Sequence, residues 1–72
     1  MMSMNRVLLG VRGAETEEQM RTVTEALTRL EGVERVEVPQ PGQILVEYDP
    51  HRLTVMDLIR AVREEGFLAG ML

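Results

Sequence analysis

Two runs of helical periodicity, each preceded by an alternating run and closed by a glycine, limit what this chain can fold into. In the first, Met20, Val23, Leu27 and Leu30 stand three and four residues apart, on one face of a helix. In the second, Val55, Leu58, Ile59 and Val62 fall at i, i+3, i+4 and i+7. Gly32 and Gly66 follow as stop signals. Around them Val7, Leu9 and Val11 alternate with Arg6, Leu8, Gly10 and Arg12, and Ile44, Val46 and Tyr48 alternate with Leu45 and Glu47. Val36 and Val38 share a face against Glu37. Period two is the pattern of a half-buried strand. These spacings predict strands over 6–12, 33–38, 43–48 and 67–71, and helices over 16–31 and 54–65.

The order β-α-β-β-α-β is the split unit of an α+β, ferredoxin-like sandwich. Each β-α-β half takes a right-handed crossover, so both helices cover one face of a four-stranded antiparallel sheet. The other face is left to solvent. Pro39, in the turn cluster Pro39-Gln40-Pro41-Gly42, cannot donate to a ladder and places the second strand at a sheet edge. The expected core is Val7, Leu9, Val11, Met20, Val23, Leu27, Leu30, Val36, Val38, Ile44, Val46, Leu58, Ile59, Val62 and Phe67.

With 72 residues the chain is one domain, its folded part running from about residue 6 to 69. Tyr48 and Phe67 are the only aromatic residues, so the core is aliphatic. A net charge of −4 argues against a nucleic-acid partner, whose phosphates need a basic face. There is no cysteine, which excludes disulfides, thiolate metal sites and thiol redox chemistry. No apolar run approaches the roughly 20 residues of a membrane span, so no membrane insertion is expected. Residues 1–5 are too short and uncharged for a secretory signal, which makes a cytoplasmic protein the expectation.

The passage Val11-Arg12-Gly13-Ala14-Glu15-Thr16-Glu17-Glu18-Gln19, the helix after it and Leu30-Glu31-Gly32-Val33 together resemble the heavy-metal-associated domain of copper chaperones and of the amino-terminal arms of metal-pumping ATPases. That family reads V-x-G-M-x-C-x-x-C, a helix, then L-x-G-V. In its second half it reads Y-D-P, I, A-[IV] and G-[YF], met here by Tyr48-Asp49-Pro50, Ile59, Ala61-Val62 and Gly66-Phe67 without a gap. The resemblance implies the same fold and a place in metal transport. It also sets the family's two metal-binding cysteines on Thr16 and Gln19 and its loop methionine on Ala14. The chain therefore resembles a degenerate member without its soft-metal ligands.

Cu(I) takes thiolate or thioether sulfur, and a hydroxyl and an amide supply neither. Thr16-x-x-Gln19 is instead a capping box, in which the threonine oxygen accepts from the amide three residues on. Glu15, Glu17 and Glu18 crowd the same helix start, where the helix dipole favours acidic groups. As a hard-cation site they are weak candidates, because Ca²⁺ takes about six to eight oxygens. His51 is alone in its loop and makes neither a metal site nor a catalyst. Of six methionines, Met1, Met2 and Met4 cluster near the terminus, Met20 belongs to the first helix face, and Met56 and Met71 stand far along. No phosphate-binding glycine loop, nucleophile–base pair or acid–base dyad appears, so no enzyme activity and no cofactor are expected.

Leu8 and Leu45 point to the open sheet face, flanked by Arg35, Glu37 and Glu47. Two leucines on neighbouring strands are candidates for a partner or dimer patch, although single exposed leucines are also ordinary. The family's carriers dock through the metal-loop end with charged side chains. The resemblance thus implies a binding or adaptor module whose surface is Ala14, Glu15, Glu17 and Glu18. A metal-transporting ATPase or another protein is the expected partner, and the chain itself a monomer or weak homodimer. The rival reading is a metal-transport protein that binds metal through Met and Glu rather than cysteine.

Overall fold

The computed structural model describes residues 3–72. Its elements are β1 (Asn5–Arg12), α1 (Glu17–Thr28), β2 (Val33–Glu37), β3 (Gln43–Tyr48), α2 (Val55–Glu64) and β4 (Leu68–Met71). They form one sheet of order β2-β3-β1-β4 in which every neighbouring pair is antiparallel. This is the ferredoxin-like βαββαβ sandwich, and β2 lies at an edge as Pro39 demands. Val7 lies opposite Val46 and Leu9 opposite Ile44, so the apolar members of β1 and β3 share the covered face.

Leu9, Val23, Leu27, Ile44, Val46, Leu58 and Val62 are fully buried. Two sheet strands and both helices thus meet in one aliphatic core. Its removal from water, at roughly 25 cal/mol per Å² of apolar surface, is the main force holding so small a domain together. Val7, Val11 and Tyr48 are buried beside them. Met20, Leu30, Val36, Ile59 and Phe67, expected in the core, pack against it partly buried.

One expected core residue is not there. β2 ends at Glu37, and Val38 is 44% exposed. The next residue, Pro39, has no N–H to continue the ladder, so the chain leaves the sheet before Val38 can turn inward. Ala14, Ala26 and Ala61 are buried in turn. Small side chains set the distance between the helices and the sheet, a role that hydrophobic spacing underweights. α1 is also shorter than expected. Its C-cap is Arg29, and Leu30 bonds back to Leu27 (3.1 Å) in a tight last turn before Gly32. Phe67 precedes β4 rather than opening it.

Candidate functional site

The loop between β1 and α1 is shaped from both sides. Gly13 has φ +95°, a left-handed conformation that turns the chain out of β1, and the Phe67 ring lies 3.3 Å from where a Cβ would stand. Ala14 is buried at 6% exposure and anchors the loop to the core. Its side chain therefore packs mostly inward, and of the expected contact surface it supplies only a small part of the lining of a neighbouring cleft.

Thr16 is the N-cap of α1, extended at φ −106° and ψ 160°. Its Oγ1 accepts from the Gln19 N–H (3.1 Å). The Gln19 Oε1 accepts from the N–H groups of Glu15 (2.8 Å) and Thr16 (3.1 Å). The capping box is complete, and the oxygen atoms at both aligned ligand positions are occupied by backbone donors that a helix start otherwise leaves unpaired. Glu15, Glu17 and Glu18 are all exposed, and Glu17 and Glu18 fill the acidic first turn of α1. Among the described residues no three His, Cys, Asp or Glu side chains converge as a metal site would need. Met1 and Met2, two of the three methionines of the terminal cluster, lie outside the described residues. His51 is exposed, and its N–H donates to Asp49 Oδ1 (2.9 Å) in a local turn.

Beside the loop lies a shallow cleft of about 480 Å³ between the first turns of α1 and the β2–β3 turn. Met20, Val38 and Pro41 line its apolar part, and Glu15, Glu17 and Arg21 its charged part. The sequence placed Val38 in the core and so missed this cleft. The signal was Pro39, which ends β2 one residue sooner than the alternation does.

On the open face Leu8 and Leu45 are direct cross-strand partners, both half-buried. Ion pairs of Arg6 with Glu47 (3.2 Å) and of Arg35 with Glu37 flank them. Leu68 and Leu72, exposed at 60% and 70%, belong to the same face and were not anticipated. A second capping box also escaped the sequence reading. Thr54 caps α2 and pairs with Asp57, and T-x-x-D before an apolar run was its signal.

No protein-family model matches the chain. Two uncharacterized proteins of Haemophilus influenzae strain Rd are each 28% identical over 64 residues, covering 89% of this chain and 94% of theirs. Among solved structures, oxidized MerP from Ralstonia metallidurans CH34 is similar at a TM-score of 0.90 and 27% identity, over 96% of this chain and 97% of that one. A copper binding domain from HMA7, a P-type ATPase, is similar at 0.87 and 26%, over 93% and 92%. Over nearly all of its length the chain therefore shares its fold with MerP and with a copper binding domain of a P-type ATPase, and it carries a completed helix cap at the start of α1.

Proposed function

We propose that this domain is a protein-binding module of metal transport that has given up soft-metal carriage at its β1–α1 loop. One observation carries the reading. The two positions that align with metal-binding cysteines in the resembled family hold Thr16 and Gln19, whose oxygens accept backbone N–H groups. A two-coordinate Cu(I) site needs two facing sulfur donors, and neither residue has one. What the loop retains is exposed acidic charge at Glu15, Glu17 and Glu18 beside a partly apolar cleft. Such a surface suits a partner with a basic rim and an apolar contact at its centre. The similarity to a copper binding domain of a P-type ATPase supports a metal-transporting ATPase as that partner.

The test has two arms. Titration of the unmodified protein with Cu(I) and Zn(II) under reducing conditions, read by calorimetry and amide shifts, is expected to give no binding that competes with a strong chelator. Stoichiometric Cu(I) capture would overturn the proposal and favour methionine ligation. Titration with an amino-terminal domain of a metal-transporting ATPase should shift amides from Glu15 to Arg21. Glu15→Lys with Glu17→Lys should weaken that binding, and unchanged affinity would rule out the acidic loop as the docking surface.

A further inference from the structure

The sheet order β2-β3-β1-β4 leaves two free edges, and they are unlike. The β2 edge carries Glu34, Arg35 and Glu37, a register shift between Val33 and Arg35, and Pro39 just beyond it. Charges, irregular register and proline each discourage another strand from pairing. β4 has none of these devices. Its four residues, Leu-Ala-Gly-Met, are uncharged, its pairing with β1 runs without a shift, and Leu68 and Met71 are exposed.

Two hydrogen bonds settle which backbone groups β4 presents outward. The Val11 N–H donates to the Gly42 carbonyl (2.8 Å), so the backbone of Val11 faces the β3 side and not β4. The Leu72 N–H donates to the Leu8 carbonyl (3.0 Å). Antiparallel pairs alternate between bonded and non-bonded. From Leu8 and Leu72 the bonded set continues to Gly10–Gly70 and Arg12–Leu68, and Val11–Ala69 and Leu9–Met71 are the non-bonded pairs. The N–H and C=O of Ala69 and Met71 therefore point away from the sheet.

We infer that a second copy of this chain pairs along β4. Two β4 strands run antiparallel about a two-fold axis at Gly70, with Ala69 of each copy opposite Met71 of the other. Each of these two pairs then exchanges its N–H and C=O, and two four-stranded sheets become one continuous sheet. Such an interface is self-complementary, as two-fold symmetry requires. On the open face Gly70 meets Gly70 with no side chain between. Leu68 falls opposite Leu72 of the second copy, with Leu8 behind Leu72 and Leu45 behind Leu8. Gly10 contributes too, since a Cβ there would stand 3.0 Å from Leu72 Cδ2, so glycine lets Leu72 lie flat against β1. No acidic side chain stands in this register, which matters for a chain of net charge −4. So short a strand makes a small interface, and the dimer is weak and transient.

Sedimentation velocity over a micromolar to millimolar series tests this. The mean mass should rise towards that of a dimer, and the Ala69 and Met71 amides should gain hydrogen-exchange protection with concentration. Met71→Pro removes an outward N–H without touching a bond to β1 and should abolish the rise. Leu68→Glu, which sets a carboxylate opposite Leu72, should do the same. Leu45→Glu, two strands in from the edge, should leave it unchanged. A monomer throughout the series, or a dimer lost by Leu45→Glu and kept by Met71→Pro, overturns the inference. None of these substitutions touches the β1–α1 loop, so failure here and failure of the proposed docking function remain separable.

Discussion

The two helices begin alike, and the comparison explains the loop that matters most. At α2, Thr54 is extended at φ −111° and ψ 166°, nearly the geometry of Thr16. Its Oγ1 accepts from the Asp57 N–H (3.3 Å), and Asp57 Oδ2 accepts from the Thr54 N–H (2.8 Å). The chain thus uses one device at both helix starts. At α1 that device stands where the resembled family places sulfur, and at α2 it stands where the family has no ligand. Thr16 and Gln19 therefore have a complete structural explanation that needs no metal. The starts differ in charge. α2 uses its acidic residue, Asp57, as the cap partner, whereas α1 uses neutral Gln19 and leaves Glu15, Glu17 and Glu18 facing solvent. Only the α1 start has acidic side chains to spare for a partner.

The largest expected effect converts one start into what the family has there. Thr16→Cys with Gln19→Cys should raise Cu(I) affinity by several orders of magnitude over the wild type, measured by competition with a chromophoric chelator. The rest of the scaffold already holds those positions at a helix start, where thiolates are stabilised. If the double variant fails to bind, Ala14 or Glu15 has reshaped the loop beyond what the two ligand positions account for.

Next in size is the anchoring of each helix. Leu27 and Leu58 are both fully buried, and truncation of either to alanine should cost roughly 2–5 kcal/mol in urea or thermal unfolding. Ile59 is only partly buried, so Ile59→Ala should cost less than Leu58→Ala. A Leu27→Ala or Leu58→Ala protein that melts with the wild type would show that the face of that helix is misassigned.

The caps come third. Thr16→Ala and Thr54→Ala should each destabilise the fold by about 0.5–2 kcal/mol. Equal losses would support one shared device. A loss confined to Thr54→Ala would mean that the α1 start has another support.

Smallest is the pH dependence, which should separate the two starts. Asp57 titrates below its ordinary value of 3.8, first because its carboxylate accepts the Thr54 backbone N–H, with its hydroxyl and Arg60 adding to the effect. A lowered folded value means that the unfolded chain binds the proton more readily. The contribution of Asp57 is therefore fully present above 3.8 and is lost as pH falls from there through the lower folded value. Gln19 does not ionise. Asp57→Asn should flatten the acid limb of the stability curve, and Gln19→Ala should leave its shape unchanged. Parallel curves for wild type and Asp57→Asn would remove the charge difference from the comparison.

Much of this was legible in the residues because it is local. A capping box is four residues long, a helix face repeats every three or four, and a proline forbids a ladder bond wherever it stands. The order of elements, the edge position of β2 and the bond from Gln19 to Thr16 follow from such short-range rules. What tertiary structure decided depends on segments far apart in the chain. Val38 faces the cleft rather than the core because β2 departs towards Pro41 while α1 passes alongside. Ala14 is buried because the helices close over the sheet at the end of β1. Leu8, Leu45 and Leu72 become neighbours, with Leu68 beside Arg12 on the same face, only when β3 and β4 take their places on either side of β1. Strand neighbours are chosen by which apolar faces can be buried together, and no single stretch of this sequence carries that information.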